Sequence, residues 1–408
     1  MPGDTRPVLK KISTPDVQLG MFLQSLEGPW LSHPFWKTRF LLRDQADLDA
    51  LHKSGVPAIW IDISKGADVA GSAATIEVEA PSLADEPAPA EDEAPAGHAQ
   101  VELSSELARA AQVVNRSRAM VVSLFNEVRM GRSADLQQCL PVVQEVADSV
   151  ARNPSALISL ARLKTKDDYT YMHSVAVCAL MVSLARQLGL DEAKTREAGL
   201  AGLLHDLGKM LVPHEVLNKP GKLSDDEFAV IKLHPQRGFE LLRAGGKAPA
   251  SAMDVCLHHH EKMDGTGYPR RLKGEQISLL ARMGAVCDVY DAITSNRAYK
   301  TAWDPSLSLQ RMAQWQGHFD PAVFQAFVKS LGIYPVGSLV RLESQRLAVV
   351  VEQSAAHLLT PQVKAFYSLR SNSHVQPKLI DLADGSDRIV AREDPKTWNF
   401  EGLEMYWQ

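Results

Sequence analysis

The chain has 408 residues, which is too long for one average hydrophobic core and suits two or three structural units. Hydrophobic residues make up 45% and charged residues 23% of the sequence, as in ordinary globular proteins, and this excludes a wholly disordered chain. The 44 basic and 49 acidic side chains give a formal net charge of -5, so no global positive field attracts a nucleic acid polymer or an anionic membrane.

The amino-terminal part predicts a small mixed α/β domain over residues 1–64. Strand-like runs at 17–26 and 58–63 flank a short helix near 44–54. Residues 65–101 are rich in alanine, proline and acidic side chains, which predicts a flexible linker. The sequence shows neither a signal peptide nor an apolar run of 18 residues, so we expect a soluble cytoplasmic protein without a membrane segment.

Residues 102–335 carry apolar side chains at helical spacing and predict a helical bundle. Short alternating runs such as SLVRLES and LAVVVEQ return beyond residue 336, so we expect a β-rich extension over 336–408, packed on the helices. The four cysteines lie far apart and predict reduced, mostly buried thiols. The expected fold class is therefore mainly α, with a small mixed domain before the bundle and a β extension after it.

The predicted bundle contains an unusual density of histidine and aspartate. An apolar helix ends in the adjacent pair His205 and Asp206, which alone is more often a surface or capping feature. Within about 116 residues, however, seven candidate ligands, mostly flanked by apolar helix, can be picked out: His173, His205, Asp206, His234, His259, His260 and Asp288. Buried charge without a partner is unfavourable, so metal ions are the simplest physical explanation. A set of nitrogen and oxygen donors favours iron or manganese, and nickel, zinc or magnesium remain compatible.

Four separated motifs, in order, make the chain similar to the HD-GYP family over residues 160–335. They are HDLGK at 205–209, VLNKPGKLSDDEFAVIKLHP at 216–235, HHEKMDGTGYP at 259–269 and DVYDAITSNRAYK at 288–300. The resemblance implies the helical bundle of the HD superfamily. The earlier stretch GMFLQSLEGPWLSHPFWKTRFLL resembles a small domain, of unknown role, that often precedes HD-GYP domains.

The resemblance implies a phosphodiesterase that opens cyclic di-GMP to linear pGpG and then cleaves it to GMP. It makes the seven histidines and aspartates metal ligands, with His205, Asp206 and Lys209 as catalytic residues. Lys209 would lie near the scissile phosphate, and Arg297 and Lys300 would bind the phosphate and the guanine edge of the substrate. The loop that names the family would comprise Asp264, Gly265, Gly267, Tyr268 and Pro269. A diguanylate cyclase (GGDEF) partner docking on that loop and a homodimer are further expectations.

The sequence leaves alternative functions open. Hydrolysis of another cyclic dinucleotide such as cyclic GMP-AMP is compatible with the motifs, because motif spacing does not resolve contacts to the bases. An HD enzyme acting on nucleoside phosphates is disfavoured by the GYP loop. A receptor that binds cyclic di-GMP without turnover would be supported by loss of a metal ligand, and every matched ligand is present.

The sequence also predicts two metal ions rather than three. Some members of the family place a glutamate four residues before the first histidine ligand, on the same face of the helix. Tyr169 stands at that position here, and a neutral phenol is a poor ligand for these ions. Asp168 is offset by about 100° around the helix, so it is a poor substitute. We therefore expect two ions bridged by Asp206, with Asp291 hydrogen-bonded behind them.

Overall fold

A computed structural model describes most of the chain, in two compact units, Met1–Pro95 and Ala96–Gln408. The described residues are 9–26, 40–53, 58–68, 103–132, 135–162, 169–219, 221–295, 302–354, 358–400 and 402–407. Most of the predicted linker therefore falls outside them. The domain boundaries expected from the sequence stay a prediction.

The described residues of the first unit form a four-stranded antiparallel sheet and one α-helix. Its elements are β1 (Leu9–Ser13), β2 (Phe22–Leu26), β3 (Phe40–Leu41), α1 (Gln45–Lys53) and β4 (Ala58–Asp62), with sheet order β1-β4-β2-β3. Ile12 pairs with Ile59 across β1 and β4, and Leu23 pairs with Ile61 across β2 and β4. All four are buried with Leu51 of α1, because alternate strand residues point to one face. The sequence predicted β2, α1 and β4 but not β1 or β3.

The second unit is mainly helical, as predicted. Its helices are α2 (Leu103–Arg129), α3 (Cys139–Arg152), α4 (Pro154–Arg162), α5 (Tyr169–Gln187), α6 (Glu192–Leu204), α7 (His214–Leu217), α8 (Asp225–Ile231), α9 (His234–Gly245), α10 (Ala250–His258), α11 (Leu279–Thr294), α12 (Pro305–Met312) and α13 (Pro321–Leu331). Helix α5 is apolar all round and is buried from Met172 to Ala185, so it forms the centre of the bundle.

Two glycines bring α6 against the central helix α5. A β-carbon on Gly202 would lie 2.9 Å from the carbonyl oxygen of Val177, and one on Gly199 would lie 2.8 Å from the side chain of Val182. Neither contact tolerates a larger residue, since real β-carbons do not approach so closely. The close approach holds the end of α6 next to the first turns of α5, where His173 lies.

The carboxyl-terminal residues form a five-stranded antiparallel sheet on the helices. The strands are β5 (Leu339–Leu342), β6 (Arg346–Glu352), β7 (Gln362–Ser368), β8 (Ser373–Asp381) and β9 (Ile389–Arg392), in the order β8-β7-β6-β5-β9. Arg162 donates to the carbonyl of Val336 at 2.8 Å, and Asp304 accepts from the Leu339 amide at 3.0 Å. These bonds join the sheet to α4 and α12. The predicted fold class is confirmed.

The four cysteines are buried free thiols, as predicted. Within the described ranges, no helix combines the length and the apolar character that a membrane crossing requires.

Candidate metal centre

The ends of several helices converge on one buried cluster. His205 caps the end of α6, and Asp206 follows it directly, before a 3-10 turn at Leu207–Leu211. His234 is the first residue of α9, and His259 caps the end of α10. His173 and Asp288 lie on α5 and α11, and His260 follows α10. The structure thus brings together all seven residues that the sequence singled out.

One half of the cluster contains His173, His205 and Asp288. Their Nε2 and Oδ1 atoms crowd together, with 3.3 Å between the two imidazole Nε2 atoms and 2.9 Å from His173 Nε2 to Asp288 Oδ1. Asp206 Oδ2 completes this group at 3.4 Å from His173 Nε2 and 3.3 Å from His205 Nε2. His173, His205 and Asp206 therefore offer donor atoms spaced for one metal ion.

The other half of the cluster contains His234, His259 and His260. The Nε2 atoms of His234 and His259 are 3.3 Å apart. Asp206 Oδ1 lies 3.2 Å from the first of them and 3.7 Å from the second. The three histidines offer donor atoms spaced for a second ion. The two oxygens of Asp206 thus face different groups, which is the arrangement of a bridging carboxylate.

The tautomers of the second group show that it suits a cation. His234 donates Nδ1–H to the carbonyl of Ile231 at 2.7 Å, and His259 Nδ1 lies 3.0 Å from the carbonyl of Val255. Both Nε2 atoms of the neutral rings therefore carry lone pairs, and these face each other and Asp206 Oδ1. That oxygen is buried and finds no hydrogen-bond donor in the described part of the chain. Lone pairs converging without a proton repel one another, and a bound cation removes the repulsion.

Burial and neighbouring charges shift the pKa values of these histidines in different directions. Burial lowers the pKa of His234 and His259, and it lowers the pKa of His260 to about 3, so these rings stay neutral at physiological pH. Burial also opposes a charge on His205, but Asp206 and Asp288 outweigh it and raise the pKa of His205 to about 10. Despite their burial, Asp206 and Asp288 keep pKa values well below the usual range because of the neighbouring histidines and, for Asp206, also because of Lys209. Without metal, His205 is therefore protonated on both ring nitrogens and carries a positive charge at physiological pH.

Two further side chains hold the cluster. Lys209 Nζ lies 2.5 Å from Asp206 Oδ2, and its side chain keeps a fifth of its surface exposed, so the ammonium stands between the buried carboxylate and solvent. Asp291 Oδ2 accepts a 2.6 Å hydrogen bond from His173 Nδ1, which leaves the His173 Nε2 lone pair pointing at the cluster. Asp291 thus contacts an imidazole rather than the centre of the cluster, as the sequence predicted.

The GYP loop lies against the cluster. The ring of Tyr268 is 4.7 Å from the ring of His260, and its peptide bond to Pro269 is cis. Gly265 has a φ of +83°, and a β-carbon on Gly267 would lie 2.5 Å from the Lys262 amide nitrogen, so both positions need glycine. Asp264 accepts from the amide of Thr266 at 2.8 Å.

A buried carboxylate that the sequence did not single out braces this loop. Glu261 is 2% exposed and accepts from the amides of Arg270 and Leu272 at 2.6 and 3.1 Å. Its position directly after the histidine pair was the available signal. Because it ties both ends of the loop together, it positions Tyr268 against His260.

Two sequence predictions fall where the structure does not describe the chain. Arg297 and Lys300 lie outside the described residues, and so does Asp168. Tyr169 is described, and its ring stacks parallel to His173 with 5.8 Å between centroids. His258 bonds Asp254 at 2.7 Å, apart from the cluster.

Two family models match the chain. Residues 144–323 match an HD domain, and residues 9–139 match a domain of unknown function, DUF3391. The second match continues through α2, beyond the first compact unit.

Several similar proteins are named as cyclic-dinucleotide phosphodiesterases. Cyclic di-GMP phosphodiesterase PA4108 of Pseudomonas aeruginosa is 54% identical over 408 residues, which cover 98% of this chain and 96% of that protein. The cyclic di-GMP phosphodiesterase response regulator RpfG of Xanthomonas campestris is 39% identical over 47% of this chain and 51% of its own. The 3'3'-cGAMP-specific phosphodiesterase 2 of Vibrio cholerae is 36% identical over 39% and 31%. This chain belongs to the HD-GYP family and combines an HD domain with an amino-terminal DUF3391 domain.

Proposed function

We propose that this chain is a metal-dependent phosphodiesterase that hydrolyses cyclic di-GMP to linear pGpG and on to GMP. The observation that carries the proposal is the pair of buried donor groups facing the two oxygens of Asp206. The relative that matches nearly the whole chain at 54% identity is named for the same substrate, which supports the choice of cyclic di-GMP.

Two divalent cations, iron or manganese, would be held at Asp206. His173, His205 and Asp288 would bind one of them, and the three remaining histidines, 234, 259 and 260, would bind the other. The donor set of imidazoles and carboxylates without a thiolate supports this choice of metals. Bound cations supply Lewis-acid activation of water and of the phosphodiester.

The residues around the ions orient the reaction. Asp291 keeps His173 in the tautomer whose Nε2 lone pair faces the cluster. Lys209, at the solvent side of Asp206, would stabilise negative charge on the phosphoryl oxygens as the bond to phosphorus breaks. The ring of Tyr268 packs beside the ring of His260. By family resemblance Arg297 and Lys300 would add contacts to the substrate phosphate and guanine.

Three wider expectations belong to the same proposal. The chain would act in the cytoplasm, where its cysteines stay reduced. Asp264 and Thr266 are exposed at the tip of the GYP loop, which leaves this loop available to a diguanylate cyclase. A homodimer is proposed from the family resemblance alone.

A substrate panel tests the proposal. Anaerobically purified protein is stripped of metal and reloaded with Fe(II), Mn(II) or buffer, then given cyclic di-GMP, 3'3'-cyclic GMP-AMP or bis(p-nitrophenyl) phosphate. Chromatography separates pGpG from GMP. We expect cyclic di-GMP to turn over with the highest kcat/KM, and only after reloading.

The histidines of the chain offer a matched control for that experiment. His259→Ala removes a donor of the cluster, whereas His214→Ala removes an exposed histidine at the start of α7. The first variant should lose metal and turnover, and the second should keep both. If the wild-type protein preferred cyclic GMP-AMP, the proposed substrate would be wrong. If it bound cyclic di-GMP tightly and formed no products, the chain would be a receptor rather than an enzyme.

A further inference from the structure

An exposed aromatic and cationic surface adjoins the metal centre. Phe228 is 44% exposed, and Lys232 follows one helical turn later, so both lie on one face at the end of α8. The Lys232 ammonium stands over the Phe228 ring at 4.6 Å and over the Tyr268 ring at 5.6 Å from their centroids. These are cation–π distances. We call Phe228, Lys232 and Tyr268 the aromatic wall.

The wall is continuous with the metal centre. Lys232 precedes His234 by two residues, and the Tyr268 ring lies 4.7 Å from the His260 ring. The distance from the Lys232 ammonium to the His260 ring therefore cannot exceed the sum of its distance to the Tyr268 ring and the separation of the two rings. A dinucleotide bound at the cluster is long enough to reach this wall.

The wall also has unused binding capacity. Among the described residues no carboxylate forms an ion pair with Lys232, whose ammonium contacts the two aromatic rings. An exposed phenylalanine is costly to keep in water, and a lysine held over two rings without a carboxylate keeps its charge available for a ligand. Since the whole chain has a formal net charge of -5, an unpaired local cation beside the centre is what an anionic substrate needs.

We propose that the aromatic wall binds one guanine of the substrate and selects it over adenine. This inference rests on the proposed function and adds the residues that read the base. The guanine stacks on Phe228, and the Lys232 ammonium donates to guanine O6 and N7, which are both acceptors. Adenine presents an amino group where guanine has O6, so Lys232 loses one acceptor and meets a second donor. The wall thereby favours cyclic di-GMP over its adenine analogues.

Variants at two positions separate stacking from base reading. Lys232→Met keeps the length of the stem on both rings and removes the charge and the donor. Phe228→Ala removes the stacking surface, and Phe228→Trp restores it. The matched control is Lys247→Met, at an exposed lysine after α9.

The measurements are KM for cyclic di-GMP, the inhibition constant of cyclic di-AMP, metal content and turnover of bis(p-nitrophenyl) phosphate, which has no base. Lys232→Met should raise KM about tenfold, the loss of one good base contact, and change the cyclic di-AMP constant less than about twofold. Phe228→Ala should weaken both dinucleotides about tenfold, and Phe228→Trp should recover them. Metal content and base-free turnover should match the control in all variants.

Other outcomes overturn the inference. Equal weakening of both dinucleotides in Lys232→Met would mean that the lysine contacts phosphate rather than the guanine edge. Wild-type constants in both variants would remove the wall from the binding site. Either result leaves the phosphodiesterase proposal standing, whereas a wild-type protein that does not hydrolyse cyclic di-GMP rejects that proposal before the variants are compared.

Discussion

Replacing Asp206 with asparagine tests the bridging role of this carboxylate, because the amide keeps the shape and removes the charge. The two oxygens lie 3.2 to 3.7 Å from imidazole Nε2 atoms of four histidines, so the carboxylate faces both candidate ion positions. Unit charges about 4 Å apart attract by ~4 kcal/mol at the effective dielectric of such sites. That corresponds to about a thousandfold in affinity. We expect Asp206→Asn to lower the affinity for at least one ion by about this factor.

The assay is metal analysis of anaerobically purified protein, together with cyclic di-GMP turnover and thermal unfolding. Asp254→Asn is the matched control, because Asp254 also pairs with a histidine, His258, on the same bundle but outside the cluster. The control should keep its metal and its rate. Two ions per chain and wild-type turnover in Asp206→Asn would refute the bridging carboxylate.

Further predictions concern the same centre. In the metal-free protein the pKa of His205 is raised to about 10, so a binding metal ion must displace the proton on its Nε2 atom. The apparent metal affinity should therefore rise about tenfold per pH unit from about pH 7 towards 10. Calorimetric titrations measure this slope, and a flat profile would contradict the reasoning. That same proton stabilises the metal-free fold fully below pH 6.5, and its contribution is lost as pH rises through about 10. Asp291→Ala should lower metal affinity about 10- to 100-fold by freeing the His173 ring, whereas Asp291→Asn, which can still accept from Nδ1–H, should lose less; equal losses would be contrary to this reasoning. Tyr169→Glu should raise the metal content from two ions to three, and a content unchanged at two would show that the position cannot supply a ligand.

The residues of the cluster could be predicted because they are chemically unusual for apolar helices. Five histidines and two aspartates among buried helical turns require a partner. Helix α6 ends at Leu204, so His205 and Asp206 lie at a helix end, as the sequence predicted. The division of Asp206 between two groups could not be predicted. It depends on contacts of Asp206 with residues up to 53 positions away, such as His259, and motif spacing does not measure these distances.

The parts that sequence reasoning missed depend on tertiary contacts. Strand β1 carries the consecutive lysines Lys10 and Lys11, and β3 has two residues, so neither gives a clear alternating pattern. Lys232 and Phe228 have the composition of an ordinary exposed helix face. Only the contact of Lys232 with Tyr268, which follows it by 36 positions, shows that this face adjoins the metal centre.

The central claim is that two ions held at Asp206 make this chain a cyclic di-GMP phosphodiesterase. The most direct test is to titrate Fe(II) or Mn(II) into stripped protein under anaerobic conditions, and to measure bound metal and the rate of pGpG and GMP formation on the same samples. The account predicts no turnover in the stripped protein and a rate that stops rising at two bound ions per chain. Turnover without metal, or a rate that still rises towards a third ion, would contradict it.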